Sequence, residues 1–251
     1  MADVAACLTV VAGHEASDPT SLLAPIPDYL TALGADVRGL RLGVPTNDDY
    51  RFGTPEAHSL LERGRQGLLQ LGLQPVDIEL SPSVEEALDL SKVVIDVDLW
   101  VYIQPFLDRE ALFGRDFLER SRLAKNIPAT DYARALQQQA DIRRRWLAYF
   151  EQVDLIVLPA NVAGAPRHGE STIAVNDQAH PVQMVCSRFN RISNITGFPA
   201  IVIPVGATAE GLPIGLQLVG PPLAETRLLA VAHALEQQLG NVVAEWGIEP
   251  R

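Results

Sequence analysis

The 251-residue sequence predicts an α/β fold, because two strand patterns flank a long stretch of helical periodicity. A strand-helix-strand pattern occupies residues 40–80 and predicts adjacent parallel strands joined by a helix. Two apolar runs between residues 200 and 219, separated by a turn sequence, predict a β-hairpin. The length is sufficient for one large domain with its own hydrophobic core.

The first part of the chain contains a helix, a loop and the strand-helix-strand unit. Residues 3–12 predict a short apolar helix, and the proline-containing residues 13–27 predict a loop. Leu40–Val44 is predicted as a buried strand. A helix follows Thr54, a residue type favoured at helix N-caps, and carries a leucine stripe. Val76–Leu80 alternates apolar and polar residues, which predicts the second strand of the unit.

The middle of the chain is predicted to be helical up to a buried strand. Residues 83–126 and 130–150 have helical periodicity, with prolines as breaks and Thr130 as the N-cap of the second stretch. Val153–Leu158 is a continuous apolar run and is predicted as a buried strand. Residues 160–181 are rich in Gly, Pro, Asn and His and predict a long loop. Loops of this length in a compact domain are usually functional or disordered.

Composition indicates a globular protein with an acidic surface. The formal net charge is −11, with 31 acidic and 20 basic residues, so nucleic acid and membranes are not expected as partners. No apolar run reaches the ~20 residues that a membrane-spanning helix needs. Two cysteines do not form a disulfide framework, which favours a cytoplasmic location. No motif predicts a bound cofactor.

The carboxyl-terminal hairpin carries the most specific motifs of the chain. NITGFPAIVIPVG spans Asn194–Gly206, and GLPIGLQLVGPP spans Gly211–Pro222, with a closing helix predicted at Glu225–Leu239. Gly197 permits a sharp turn into the first strand. The two strands of the hairpin are predicted at Ala200–Ile203 and Ile214–Val219.

These motifs resemble the carboxyl-terminal strands of the amidase signature family. GLRLGVP (Gly39–Pro45), RRRWLAYFEQVDLIVLP (Arg143–Pro159), SRFNRISNITG (Ser187–Gly197) and DVAACLTVVAG (Asp3–Gly13) resemble further segments in the family's order. The resemblance implies that residues 1–251 form a single partial domain, the carboxyl-terminal half of an α/β/α sandwich with a mixed β-sheet. It also implies a family activity, the hydrolysis or transfer of small-molecule carboxylic amides.

The residues that carry out catalysis in the family have no counterpart in this sequence. The family uses a nucleophilic serine, a second serine in a cis peptide and a lysine, with a Gly/Ser-rich loop for the oxyanion. This chain has no Ser-Ser pair and no such loop, and its only lysines, Lys92 and Lys125, lie in predicted surface helices. We therefore assign no catalytic residue and expect a fragment that is inactive alone.

Three interpretations of such a chain remain open. It is a truncated or mis-started amidase gene product, a non-catalytic binding or regulatory protein, or one half of a split amidase whose amino-terminal half is a separate chain. A half sheet exposes strand edges and apolar helix faces, so we expect the isolated chain to aggregate or self-associate, whereas a well-behaved monomer would favour the binding protein.

The resemblance places substrate contacts after the strand at Val153–Leu158 and before the hairpin. Asn161, Arg188 and Phe189 are the candidate substrate-binding residues. Alternatively, Arg188 pairs with an acidic residue and Phe189 belongs to the core. The glutamine-using subunit of glutamyl-tRNA(Gln) amidotransferase tends to have aspartate where this chain has Ser187, which favours a general amidase.

Two other clusters have less support as functional sites. Cys186 and His180 could form a catalytic pair, but a small buried cysteine is the favoured interpretation of Cys186. The acidic and histidine side chains of the long loop match no established zinc spacing, so no metal site is predicted; they are His168, Glu170, Asp177 and His180.

Overall fold

A five-stranded mixed sheet forms the centre of the protein, for which a computed structural model describes residues 1–81, 84–240 and 242. The seven strands are β1 Arg41–Pro45, β2 Gln74–Ile78, β3 Leu155–Pro159, β4 Thr172–Val175, β5 Gln178–Pro181, β6 Ala200–Ala207 and β7 Pro213–Val219. The order in the main sheet is β2-β1-β3-β7-β6, and β4 and β5 form a separate hairpin. The predicted α/β fold with a mixed sheet is confirmed.

Helices cover both faces of the main sheet. They are α1 Ala2–Val11, α2 Tyr29–Ala32, α3 Pro55–Gln70, α4 Val84–Ile103, α5 Arg115–Leu123, α6 Ala129–Tyr149, α7 Val182–Ser187, α8 Arg191–Thr196 and α9 Glu225–Leu239. Short 3-10 helices lie at Asp48–Arg51, Gln104–Leu112 and Ala124–Asn126. No helix in the described part of the chain is long and apolar enough to cross a bilayer.

Strand β3 shows how the two layers of core are built. Its side chains alternate, so Leu155 and Val157 pack with α3 and α9 on one face. Ile156 and Leu158 pack with α4, α6 and α8 on the other face, around the fully buried Trp146. A strand that is apolar on both faces requires helices on both sides, which produces the α/β/α sandwich.

The predicted strand-helix-strand unit is confirmed. Strands β1 and β2 are parallel and are connected by α3. The Thr54 hydroxyl accepts a hydrogen bond from the Ala57 amide, which caps α3 as expected. Strand β2 begins two residues earlier than the alternation of Val76–Leu80 indicates.

The carboxyl-terminal hairpin and the closing helix are also confirmed. Strands β6 and β7 are antiparallel, with an irregularity between Pro204 and Gly206, and β6 extends four residues beyond Ile203. Gly197 ends α8 with φ +66°, a left-handed conformation that glycine adopts without strain.

The stretch 83–126 is mostly helical, as predicted, and the predicted break at Pro105 falls in the 3-10 segment that follows α4; the predicted start at residue 83 lies outside the described residues. Two local predictions need correction. Residue 128, a proline, is the N-cap of α6, so the assignment of Thr130 as a cap is wrong. The predicted loop at 160–181 contains the β4–β5 hairpin. Its two turn residues, Asn176 and Asp177, have φ values of +52° and +62°, as a type I′ turn requires.

Asp154 connects the parallel part of the sheet to α9. Its carboxylate accepts hydrogen bonds from the backbone amide and guanidinium of Arg41 and lies 3.8 Å from the Arg227 guanidinium. Burial alone raises the pKa of the Asp154 carboxyl, but the hydrogen bonds from Arg41 outweigh it and lower the pKa below its ordinary value. The charged carboxylate therefore stabilises the start of both β1 and β3.

We expect Asp154→Asn to lower the free energy of unfolding by roughly 1–2 kcal/mol at pH 7, because the amide loses charge-assisted hydrogen bonds. A folded-state pKa below the unfolded value means that this stabilisation is complete above about pH 4 and is lost as pH falls further. Urea unfolding of the native chain and of Asp154→Asn at several pH values measures this stabilisation. A stability difference that persists unchanged below pH 3 would contradict this account.

Candidate functional site

A cavity of about 420 Å³ lies where β3 ends and β7 begins. One side is the segment after β3, a second is the start of β7, and β6 and α7 supply the rest. The residues that line it are Asn161, Ala163, Gly164, Ala165, Pro166, Cys186, Val202, Pro204, Pro213, Ile214 and Gly215. Clefts at the ends of strands in α/β sheets are common ligand sites.

Asn161 connects the segment after β3 to the start of β7 at this cavity. Its Oδ1 accepts a hydrogen bond of 2.7 Å from the Gly215 amide. Its Nδ2 donates to the carbonyl oxygens of Ala163 and Pro213, both at 3.1 Å. The side chain thus extends the β3–β7 pairing beyond the last residue of β3 and holds the cavity wall in one conformation.

The Asn161 amide uses its whole donor capacity within the protein. An amide nitrogen carries two hydrogens, and two carbonyl oxygens accept them. Among the described residues that line the cavity, none has a charged side chain. The wall is therefore an apolar surface whose best-placed polar group is already satisfied.

Arg188, the second candidate, follows α7 and is buried away from this lining. Its guanidinium lies 2.5 Å from a carboxylate oxygen of Glu85 on α4 and stacks 4.5 Å above the Phe52 ring. Its Nε is buried, and no described residue is its hydrogen-bond partner. These contacts match the alternative that Arg188 pairs with an acidic residue.

Phe189, the third candidate, is 2% exposed and belongs to a small core beside the main sheet. Its ring contacts Tyr50 at a centroid distance of 5.5 Å, and its carbonyl accepts a hydrogen bond from Gln217 of β7. Asn161 is thus the candidate that lines the cavity, while Arg188 and Phe189 anchor the segment that carries Cys186.

Cys186 is exposed at the cavity, so the expectation that it is buried is wrong. Cys186 lies on α7, a helix of six residues. Val185 is buried in the core, and the adjacent Cys186 therefore faces outward. His180 packs edge-to-face on Phe52 instead. In the part of the chain that the structure describes, no three His, Cys, Asp or Glu side chains are grouped to hold a metal ion.

The two lysines lie at the surface, as predicted. Lys92 pairs with Asp89 on α4, and Lys125 lies 4.6 Å above the Trp100 ring. Neither lysine is among the residues that line the cavity.

Among the described residues, no strand pairs with the outer side of β6, which therefore forms an open edge of the sheet beside the cavity. The Gly220 amide donates to the Pro199 carbonyl oxygen. Backbone groups alternate in direction along an antiparallel ladder, so those of Ile201 point toward β7 and those of Ala200 and Val202 point away from the sheet. Val202 is 47% exposed although it lies on a strand. On the opposite face of β6, an apolar groove of about 500 Å³ runs between α1 and α9.

Solved structures define the class of fold. A chain of the inhibitor-bound vestigial protein complex linked to an s-triazine catabolic enzyme superposes with a TM-score of 0.82 at 23% identity, over 94% of this chain and 51% of that one. A bacterial aryl acylamidase of the amidase signature family gives 0.79 at 19% identity, with the same coverage of both chains. The fold is that of the amidase signature enzymes, as predicted.

The sequence relatives agree, and the chain belongs to the amidase family, whose model matches residues 1–229. A glutamyl-tRNA(Gln) amidotransferase subunit from Cereibacter sphaeroides is 34% identical over 96% of this chain and 54% of that protein. An amidase from Pseudomonas putida is 30% identical over 94% of this chain and 50% of that protein. The chain spans about half the length of the curated relatives that it matches.

We expect Asn161→Asp to destabilise the protein more than Asn161→Ala. The carboxylate can accept from Gly215, but it faces two carbonyl oxygens that have lost their donor. An unpaired acceptor costs about 1–3 kcal/mol, and the negative charge adds repulsion. Thermal unfolding of both variants at pH 7 and pH 4 measures the difference in stability, because protonation of the carboxylate created by the substitution restores one hydrogen-bond donor. If Asn161→Asp were the more stable variant at pH 7, the role of Asn161 as a clamp would be wrong.

Glu85→Ala is expected to cost about 2 kcal/mol, because it leaves the buried Arg188 guanidinium unpaired. This loss of stability is smaller than for a fully buried ion pair, because the Glu85 side chain is 56% exposed. The double variant Glu85→Ala with Arg188→Met removes the buried charge as well and should recover part of the loss. Chemical denaturation of the single and double variants compares them, and a double variant weaker than Glu85→Ala would argue against a structural pair.

Proposed function

We propose that this chain forms the substrate-binding wall of an amide hydrolase and that the catalytic Ser-Ser-Lys groups come from another polypeptide segment. Membership of the amidase family supports the reaction class. The sequence of 251 residues offers no Ser-Ser pair and no lysine beside the cavity. The chain alone is therefore inactive and contributes the pocket.

The position of the cavity beside the open edge of β6 carries this proposal. Val202 lines the cavity and also directs its backbone groups outward from the sheet. A segment that pairs with this edge would place its own side chains next to the cavity. The apolar groove between α1 and α9 offers further surface for such a segment. In the split or fused enzyme, the active site then lies between this wall and the added segment.

A second candidate is the glutamine-using subunit of a tRNA-dependent amidotransferase, since several relatives are named as subunits of glutamyl-tRNA(Gln) amidotransferase. Ser187 argues against it, because an aspartate is expected there for glutamine. The Ser187 hydroxyl donates to the Gln183 carbonyl at 2.6 Å and carries no charge that could hold an ammonium group. We therefore propose a general amidase pocket.

Reconstitution tests the proposed function. The part of the Pseudomonas putida amidase that this chain does not match is joined ahead of Met1 in a single polypeptide. We expect this fusion to hydrolyse simple amides, whereas the 251-residue chain and the isolated Pseudomonas putida part are each inactive. Ammonia release is the readout. The Asn161→Asp fusion is the matched control and should have lower activity, because its cavity wall is distorted.

Two outcomes would refute the proposal. Turnover by the purified 251-residue chain would show that it carries its own catalyst. A fusion that melts cooperatively but releases no ammonia from simple amides or glutamine would favour a non-catalytic binding protein.

A further inference from the structure

We propose that the cavity at the end of β3 accepts the uncharged, apolar acyl chain of a linear amide and excludes acyl chains that end in a charge. This inference rests on the proposed function and names the substrate class of the same site. The substrate class follows from the chemistry of the residues that line the wall.

The side chains of the wall offer no free donor and no cation that would bind a carboxylate. A carboxylate needs free hydrogen-bond donors or a cation. Both hydrogens of the Asn161 amide are donated to Ala163 and Pro213. The prolines of the wall have no amide hydrogen to supply. A carboxylate moved from water into this cavity would therefore find no partner among the side chains of the wall.

A terminal ammonium group meets the same difficulty. Among the described lining residues, none is an acid, and the Asn161 oxygen, which accepts from Gly215, keeps one uncharged acceptor site. Glu85, an acidic side chain on the neighbouring α4, is bound to Arg188. The pair Arg188–Glu85 is neutral overall and therefore gives the cavity no net charge of either sign.

Arg167 is the cation closest in sequence to the wall. It follows Pro166 but is exposed and is not part of the lining. Its backbone amide donates to Glu170, which places an acidic group beside it. Arg167→Ala is therefore the control that removes a nearby charge while leaving the wall intact.

The apolar surface gives the positive part of the selectivity. Val202, Pro204 and Ile214 present aliphatic carbon to a volume of about 420 Å³, which accommodates a small molecule. Each methylene that leaves water for such a surface is expected to tighten binding about three- to fourfold. Binding should therefore strengthen from acetamide to hexanamide.

Cys186 reports occupancy of this cavity directly in the 251-residue chain. A small methanethiosulfonate reagent modifies its exposed thiol, and mass spectrometry gives the rate. We expect hexanamide to slow this modification at lower concentrations than acetamide. Same-length amides that end in a carboxylate or an ammonium group should slow it at least tenfold less effectively. Cys7, which lines the separate α1–α9 groove, is also exposed, so the modification is assigned to Cys186 by peptide mass.

Val202→Asp supplies the test variant and Arg167→Ala the control. Val202→Asp places a carboxylate on the wall and should weaken hexanamide protection at least tenfold while improving protection by the ammonium analogue. Arg167→Ala removes a charge outside the lining and should stay within about threefold of the native chain. Because Val202 is 47% exposed on an edge strand, its replacement by aspartate is compatible with folding.

Equal protection by charged and neutral amides would overturn the inference, as would the absence of any protection by hexanamide or a Val202→Asp variant without effect. These outcomes are separable from the proposed function. A fusion that hydrolyses amides but prefers charged acyl chains refutes the substrate class and leaves the function standing. If neutral amides selectively protect Cys186 but the fusion is inactive, the neutral-amide binding site stands and the proposed catalytic function is refuted.

Discussion

The antiparallel pairing of β3 with β7 is the constraint on which the rest of the structure depends. It joins the parallel strands β1, β2 and β3 to the β6–β7 hairpin and makes the sheet mixed. Asn161 continues this pairing beyond the strand and fixes the loop that forms the cavity wall. A slip of one residue would turn Leu155 and Val157 to the opposite layer and would remove Gly215 from Asn161. The packing of the core and the geometry of the cavity therefore depend on the same β3–β7 register.

Much of the fold follows from local sequence signals that agree with tertiary packing. Thr54 forms its predicted cap, and the apolar strands pair as their patterns indicate. The predictions are wrong where the conformation of one or two residues determines the local structure. The Asn176–Asp177 pair encodes a tight turn through its positive φ values, within a stretch whose composition otherwise indicates a loop. Most strand ends differ from the predicted ones by one to four residues, because packing, and not propensity, sets the last paired residue.

The site is less predictable than the fold. Asn161 is a candidate through the family resemblance, and the structure places it on the cavity. No pattern in the sequence shows that Arg188 is neutralised by Glu85, 103 positions away, because that contact depends on how α4 and α7 pack. The exposure of Cys186 is equally hidden, because a helix of six residues has too few turns for its buried side to be read from periodicity. Long-range contacts decide which side chains of a wall remain available to a ligand.

The central claim is that this chain contributes a wall and no nucleophile. A serine-directed fluorophosphonate probe tests it most directly, since such reagents form a covalent bond only with an activated hydroxyl. Intact-mass measurement of the purified 251-residue chain after incubation should show the unmodified mass. A stoichiometric adduct on a serine of this chain, lost on heat denaturation before labelling, would contradict the account.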